Sequence, residues 1–163
     1  MCIRDRLTDC QFEQSRFRSS ELIGAYFTRV DLDKGNFNEA HLLKTKFRLS
    51  LFNQVIFNDS KWDQYLISKT KFTNCNFQKV VIWDSLLKST KLYQSVFKKC
   101  IFMDVSFHHV DFLGSMISNC TFVRCRFVDC KQLETITNNG RRNTIDTVTS
   151  RSLGNQVKYL FPI

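Results

Sequence analysis

The sequence predicts an all-β solenoid, because two residue preferences recur every five positions without an insertion. From Leu7 to Phe127, every position whose number ends in 2 or 7 holds a large apolar residue, and 15 of the 16 Phe residues lie in this register. Two positions before each large residue, from Cys10 to Cys125, the chain holds a small residue everywhere except at Tyr65. Neither a strand nor a helix keeps a five-residue period on one face. The repeat therefore predicts coils in which both preferred positions face a common axis and neighbouring coils bond at strand spacing.

This repeat resembles that of the pentapeptide-repeat family, whose motif has a small residue first, Asp or Asn second, and Leu or Phe third. The units formed by residues 30–34 and 75–79 fit the motif closely. The resemblance covers roughly four fifths of the chain and is specific at the two inward positions. The second place departs from the family pattern, because its Asp or Asn is found only at Asp31, Asn36, Asn76 and Asp111.

The resemblance implies a right-handed quadrilateral parallel β-helix with four pentads per coil. The repeat would then form about six coils and a rod roughly 30 Å tall, at about 4.8 Å per coil. The predicted division of the chain is residues 1–130 for the β-helix and residues 131–163 for a C-terminal capping or docking segment.

The period fails beyond Cys130, where Gln132 and Thr137 occupy the large-residue positions. Residues 138–142 have the composition of a turn. Apolar residues then recur at helical spacing before Pro162, and they are Leu153, Val157, Leu160 and Phe161. The pattern predicts a short amphipathic helix, which either covers the last coil or docks onto a partner.

The composition fits a single soluble domain of 163 residues with 43% hydrophobic content,. No apolar run is long enough to cross a membrane, and residues 1–6 lack the apolar core of a signal peptide. We therefore expect a cytoplasmic protein. The repeat begins almost at once, so a fragment of a longer protein is also an open interpretation. The resemblance implies one such source, since larger family members include bacterial effectors targeted to a host.

The seven Cys residues suggest at first a disulfide or metal framework,. The register favours a different role, because six of them occupy the small inward position, where Cys packs as a compact apolar residue. Cys120, Cys125 and Cys130 would point inward at successive corners and would not converge on one metal. Only Cys100 and Cys120 stack one coil apart, at a distance compatible with a disulfide. Reduced, buried packing is the favoured interpretation.

The pattern is strained at one place, where Trp62 replaces Phe or Leu and Tyr65 replaces a small residue. A densely packed core cannot take both rings without adjustment. We therefore expect Tyr65 to turn outward or the corner of the coil to widen.

Residues that stack on each other differ by 20, so the four faces of the rod can be read as columns. One face alone combines many outward apolar residues, which mark a protein partner surface or a homodimer surface unless the C-terminal segment covers them. These predicted contact residues are Ile23, Leu43, Val81, Trp83, Ile101, Met103 and Val123.

The formal net charge of +9 raises the possibility of an anionic partner,. The basic residues are dispersed, and no stacking series or nucleic-acid recognition motif accompanies them. Solvated faces of a basic rod are therefore the favoured interpretation. Candidate nucleic-acid contacts are Lys44, Lys46, Arg48, Arg141 and Arg142, with Arg151 and Lys158 in the tail.

The sequence offers little for catalysis, and we expect no enzyme activity, no metal and no cofactor. His41, His108 and His109 fall at outward positions, and no phosphate-binding Gly loop is present,. The outward carboxylates Asp63, Asp84 and Asp104 could approach each other, but a convex rod provides no water-excluding cleft.

The function that the pattern favours is a non-catalytic protein-interaction scaffold that uses the apolar face. The resemblance implies an alternative, because some family members rich in Phe and Cys mimic duplex DNA and protect type II topoisomerases from quinolones. Such mimicry needs an acidic surface, which a rod of charge +9 does not offer,. Electrostatic binding of nucleic acid by the rod is a third hypothesis, and the charge is its only support.

Overall fold

The computed structural model describes residues 2–3, 6–133, 144–146 and 149–151. These residues form a parallel β-solenoid of 22 short strands, and the described part of the chain contains no helix. Up to Lys131, each coil stacks on the next in a register of 20 residues, so Trp62 pairs with Leu42 on one side and Ile82 on the other. The predicted four pentads per coil and about six coils are therefore confirmed.

The four sides of the rod are named faces A to D, in the order in which the chain passes through them. Face A contains β1 (Cys2–Ile3), β4 (Leu22–Ile23), β7 (His41–Leu43), β10 (Lys61–Asp63), β19 (Thr121–Val123) and β21 (Thr144–Asp146). Face B contains β2 (Arg6–Thr8), β5 (Tyr26–Thr28), β8 (Lys46–Arg48), β11 (Leu66–Ser68), β20 (Arg126–Val128) and β22 (Thr149–Arg151). Two longer strands, β14 (Val81–Lys88) and β17 (Ile101–His108), continue from face A into face B.

The other two faces are built in the same way. Face C contains β3 (Gln11–Glu13), β6 (Asp31–Asp33), β9 (Leu51–Asn53), β12 (Lys71–Thr73) and β15 (Lys91–Tyr93). Face D contains β13 (Asn76–Gln78), β16 (Val96–Lys98) and β18 (Met116–Ser118), and isolated bridges continue it through Arg16, Asn36 and Ile56.

The large residues of the repeat fill the rod axis, as the sequence predicts. On face D the rings of successive coils stack nearly parallel, with centroid distances of 4.5 Å between Phe17 and Phe37 and 4.4 Å between Phe77 and Phe97. The small positions point into the same core, where Thr45 and Ser50 are fully buried and hydrogen-bonded to backbone carbonyls. The fold is thus held by ladders of identical contacts repeated coil after coil.

Every coil turns through a residue in the left-handed backbone region, two positions after each large residue. Of these corner residues between Asp9 and Asp129, Gly24 and Gly114 are glycines with positive φ, and Asn74 is an example of the non-glycine majority, with φ of 53°. The N–H of Asn74 donates to the carbonyl of Tyr93 in the next coil, at 3.1 Å. The left-handed turn therefore costs conformational energy but loses no hydrogen bond.

The two bulky residues that break the pattern both lie inside the rod. Trp62 is buried, and its indole N–H donates to the hydroxyl of Ser60 at 2.7 Å. The expectation that Tyr65 turns outward is wrong, because its side chain is buried edge-on against Trp62 with centroids 5.0 Å apart. In the next coil, β14 runs unbroken across the same corner.

The five-residue burial pattern changes after Cys130, since Gln132 is exposed and Leu133 is buried in its place. The backbone then returns to the solenoid with an offset of 23, because Thr121 pairs with Thr144 and Arg126 with Thr149. The predicted helix with Leu153, Val157, Leu160 and Phe161 lies outside the described residues. Within the described part of the chain, no helix could span a membrane.

Candidate interaction surface

The predicted apolar face is face A, and its central part forms one continuous patch on β14, β17 and β19. Trp83 pairs directly with Met103, which pairs with Val123. The buried residues Ile82, Phe102 and Phe122 form the central row of this face, and on the other side of that row Val81 pairs with Ile101. The five outward residues, Val81, Trp83, Ile101, Met103 and Val123, are called the apolar patch. Four of them lie on β14 and β17, the two longest strands of the described residues, and Val123 lies on the adjacent strand β19.

The outer members of the patch are substantially exposed, with 46% of the Trp83 surface, 39% of Ile101 and 37% of Met103 open to solvent. Val81 and Val123 are half-buried beside them. An exposed Trp beside exposed Met and Ile is uncommon on a surface that only water contacts. The patch therefore has the composition of a contact surface.

Ile23 and Leu43 were predicted to extend this surface, and the structure separates them from it. Asp63 stacks between Leu43 and Trp83 in the same column. The indole N–H of Trp83 donates to the carboxylate of Asp63, which fixes the ring at the edge of the patch. Ile23 and Leu43 are half-buried beyond this acidic residue, so the exposed patch is shorter than the sequence indicates.

The prediction that face A alone carries an outward apolar column needs a correction. Exposed large apolar side chains also lie on the other faces and corners, and they are Leu49, Leu51, Ile56, Leu113 and Met116. On face D, Asn76 lies between Ile56 and Val96, so polar residues interrupt that column. The apolar patch differs from these sites because its members pair without interruption in two columns, one on each side of the buried row Ile82, Phe102 and Phe122.

An open groove lies beside the patch, where face A meets face B, and Asp84, Asp104, Ser106 and His108 line it. The guanidinium of Arg124 binds the carboxylate of Asp104 through two hydrogen bonds and holds the pKa of Asp104 below its usual value. Burial, followed by the nearby charge of Arg126, lowers the pKa of His108. The carboxylates predicted to approach each other are thus partly engaged, Asp63 with Trp83 and Asp104 with Arg124.

The remaining histidines lie outward, as predicted. His41 is exposed on β7, and His109 Nδ1 lies 3.8 Å from a carboxylate oxygen of Asp129. Among the described residues, no three His, Cys, Asp or Glu side chains lie together as metal ligands would.

The cysteines behave as core residues. Cys75, Cys100, Cys120 and Cys125 are buried and Cys10 and Cys130 are half-buried, all as free thiols. Burial raises the pKa of the Cys75 thiol to about 12 and that of Cys125 to about 11. The stacked pair is in contact, because the N–H of Cys100 lies 3.4 Å from the sulfur of Cys120, and the pKa of Cys100 is raised by its hydrogen bond to Cys120 and by burial. The raised pKa values make the thiols of Cys75, Cys100 and Cys125 poor nucleophiles at neutral pH,.

Three of the basic residues predicted as nucleic-acid contacts, Lys44, Lys46 and Arg48, lie along a single coil. Lys44 is at a corner, and Lys46 and Arg48 are on β8. The ammonium of Lys46 lies 4.9 Å from the ring centroid of Tyr26, so an aromatic ring on the rod already engages it. Arg141 and Arg142 lie outside the described residues, as does Lys158, and only the backbone of Arg151 is described, in β22.

Comparisons with known proteins agree with this architecture. Residues 6–43 match the family model described as pentapeptide repeats, in eight copies. Full-length QnrB1, a plasmid-mediated fluoroquinolone resistance protein, is structurally similar with a TM-score of 0.59 and 9% identity, over 90% of this chain and 93% of QnrB1. HetL, a pentapeptide repeat protein from the cyanobacterium Nostoc, has a TM-score of 0.44 and 8% identity, over 90% of this chain and 85% of HetL. No curated protein matches the sequence.

The fold and these likenesses define the class of the protein as a parallel β-solenoid. More specifically, its residues 6–43 match the pentapeptide-repeat model, and the resemblance drawn from its sequence is confirmed. At 9% identity the likeness to QnrB1 concerns the fold alone.

Proposed function

We propose that this chain is a non-catalytic protein-interaction scaffold and that its apolar patch contacts a protein partner. The observation that supports this proposal is the continuity of exposed Trp83, Met103 and Ile101 on two adjacent columns of a rigid sheet. Aromatic and Met side chains are enriched at the centres of protein interfaces, where a few large residues supply most of the binding energy. A surface prearranged on paired strands loses little conformational entropy on binding.

The charges around the patch are mixed, because Lys61 pairs with Val81 whereas Asp63 pairs with Trp83. Asp84 follows Trp83 in the chain and is exposed, and Asp63 pairs with Trp83 from the neighbouring coil. A second copy of this chain is less suited, because two rods of net charge +9 repel each other,. A different protein that offers apolar side chains and carries no large positive net charge is therefore the occupant that the patch fits best.

Charged substitutions within the patch test this function. The double variant Trp83→Lys, Met103→Lys should lose partner binding, because two ammonium groups would have to be desolvated at the centre of the interface. The matched control is Leu113→Lys, Met116→Lys, which adds the same charge at exposed apolar positions elsewhere. Quantitative co-precipitation compares the proteins retained by the three forms, and sedimentation velocity reports self-association.

Loss of one specific protein from the patch variant, with retention by the control, would support the proposal. Equal retention by both variants would reject it. Concentration-dependent dimers that disappear only in the patch variant would replace the protein partner with a second copy. Circular dichroism and urea unfolding check that the rod stays folded, which is expected because Trp83 and Met103 point outward.

A further inference from the structure

A second surface with a different chemistry lies where face B meets face C. Side chains from three successive coils meet at this corner, since Arg48 and Lys88 lie on either side of Ser68, and Lys71 pairs with Lys91. Lys69 is at the corner between them. These five cations, Arg48, Lys69, Lys71, Lys88 and Lys91, are called the basic corner.

The cations of the basic corner are not neutralised by carboxylates of the described residues. Some basic groups elsewhere on the rod are paired with carboxylates, as in Arg29 with Asp9, Arg124 with Asp104, and Lys79 with Asp59. Lys71 and Lys91 instead both lie over one ring, at 5.3 and 5.5 Å from the centroid of Tyr93.

The charged groups that face the basic corner from the coil above are mixed. Asp111 pairs with Lys91 along the stack and accepts a hydrogen bond from the Tyr93 hydroxyl. His108 pairs with Lys88, and His109 lies beside Asp129. On face C, Asp31 also pairs with Leu51 from the coil below, so two carboxylates border the five cations and the field at the corner stays positive,.

Two exposed leucines lie at the foot of this cluster. Leu49 is 40% exposed at the corner, and Leu51 is 49% exposed and pairs directly with Lys71. The corner therefore combines apolar surface with unpaired positive charge.

We propose that the basic corner binds an acidic peptide segment of a protein partner, with carboxylates on the lysines and apolar side chains on Leu49 and Leu51. The rod supplies the complementary charge, and the two leucines supply apolar area that an inorganic anion would not use. This site is separate from the apolar patch, which lies on face A, and it does not depend on the function proposed for that patch.

Two other polyanions fit the corner less well. Nucleic acid would need a longer basic track and free aromatic rings for base stacking, whereas the ring of Tyr93 carries two ammonium groups,. An anionic membrane would be entered by the outermost apolar side chains, whereas the stems of Lys and Arg reach beyond those of Leu. A peptide can contact both the outer charged ends of the Lys and Arg side chains and the shorter Leu side chains between them.

A fluorescein-labelled, Glu-rich peptide that contains two Leu residues is the probe, and fluorescence anisotropy measures its binding to the full chain at low and physiological salt. The corner variant is Lys71→Gln, Lys91→Gln. Its matched control is Lys98→Gln, Lys99→Gln, which removes the same charge from exposed positions around face D. We expect the corner variant to weaken binding about tenfold and the control variant less than about twofold. The variant Leu51→Ser should also weaken binding.

Several results would overturn the proposal. These are an equal loss in the two lysine variants, unchanged binding when Gln replaces Glu in the peptide, and no binding of the Glu-rich peptide at low salt. A preference for duplex DNA or for phosphatidylserine vesicles over the peptide, lost in the corner variant, would assign the corner to that polyanion instead. The variant Trp83→Lys, Met103→Lys should keep full peptide binding, so failure here is distinguishable from failure of the apolar patch.

Discussion

Tyr65 is a large residue with a buried hydroxyl at a position that elsewhere in the repeat holds a small residue. Its side chain occupies a place where the other coils have small residues, and its hydroxyl has no hydrogen-bond partner among the described residues. Burial raises the pKa of this phenol, so the group remains neutral. An unsatisfied buried hydroxyl costs about 1–3 kcal/mol. The ring itself contributes packing against Trp62, which offsets part of that cost.

Replacement of Tyr65 with Phe should therefore increase the free energy of unfolding by about 1 kcal/mol, because the ring is kept and the unsatisfied hydroxyl is removed. Urea unfolding of the variant and the parent measures the difference. Tyr93→Phe is the matched control, since the Tyr93 hydroxyl donates to Asp111 at 3.4 Å, and this variant should gain nothing.

A loss of stability in Tyr65→Phe would contradict this account. It would mean that the hydroxyl binds a water molecule in the internal void of about 20 Å³ beside it, which has room for about one water,.

At the scale of the element, the left-handed corner is the unit that makes a five-residue repeat possible. The corner residues include Asp, Asn, Gln, Lys and Arg, but none is Val, Ile or Thr. This exclusion follows from sterics, since a β-branched side chain at positive φ clashes with its own backbone. The absence of Val, Ile and Thr two positions after each large residue can be seen in the sequence. It identifies the corner position independently of the pattern of core residues.

Asn74 offers a direct test of the corner, because its φ is 53° and its side chain is exposed. Asn74→Val should lower the free energy of unfolding by about 1–2 kcal/mol through backbone strain. Asn74→Gly should change it by less than about 1 kcal/mol, because relief of strain offsets the added freedom of the unfolded chain. Thr73→Val, one residue earlier in β12, should be tolerated. Urea unfolding of the three variants would contradict the account if Asn74→Val were as stable as Thr73→Val.

The repeat determines the columns of the candidate site, and only those columns could be predicted from the sequence. The columns that place Trp83, Met103 and Val123 on one face follow directly from the period of the repeat. Contacts between neighbours in a column depend on side-chain conformation, so the hydrogen bond from Trp83 to Asp63 and the inward rotation of Tyr65 could not be predicted from the pattern. The exposed leucines of the basic corner were missed because each appears isolated until the coils are stacked.

At the scale of the whole molecule, the coils form a one-dimensional stack in which each contacts only its neighbours. Such a fold could be predicted almost completely from the sequence, because one local rule repeats over the described rod. The exception is the return of the backbone to the stack at Thr144 and Thr149, where an offset of 23 replaces 20. The pairing shifts by three residues at a point where the sequence no longer has its five-residue apolar period, so no regular pattern predicts the new register.

Whole-molecule charge also separates the two proposed surfaces. The apolar patch is bordered by Asp63 and Asp84, whereas the basic corner concentrates unpaired lysines on another side of the rod. Binding at the apolar patch should depend little on salt, and binding at the basic corner should weaken steeply as salt rises.

The measurement that tests the central claim most directly is hydroxyl-radical footprinting of the chain, free and bound to its partner. Trp83, Met103 and Met116 are exposed in the free rod, so each reports its own surface. We expect oxidation of Trp83 and Met103 to fall strongly on binding while Met116, at 53% exposure, stays unchanged. Protection of Met116 with full reactivity of Trp83 and Met103 would contradict the assignment of the apolar patch as the partner surface.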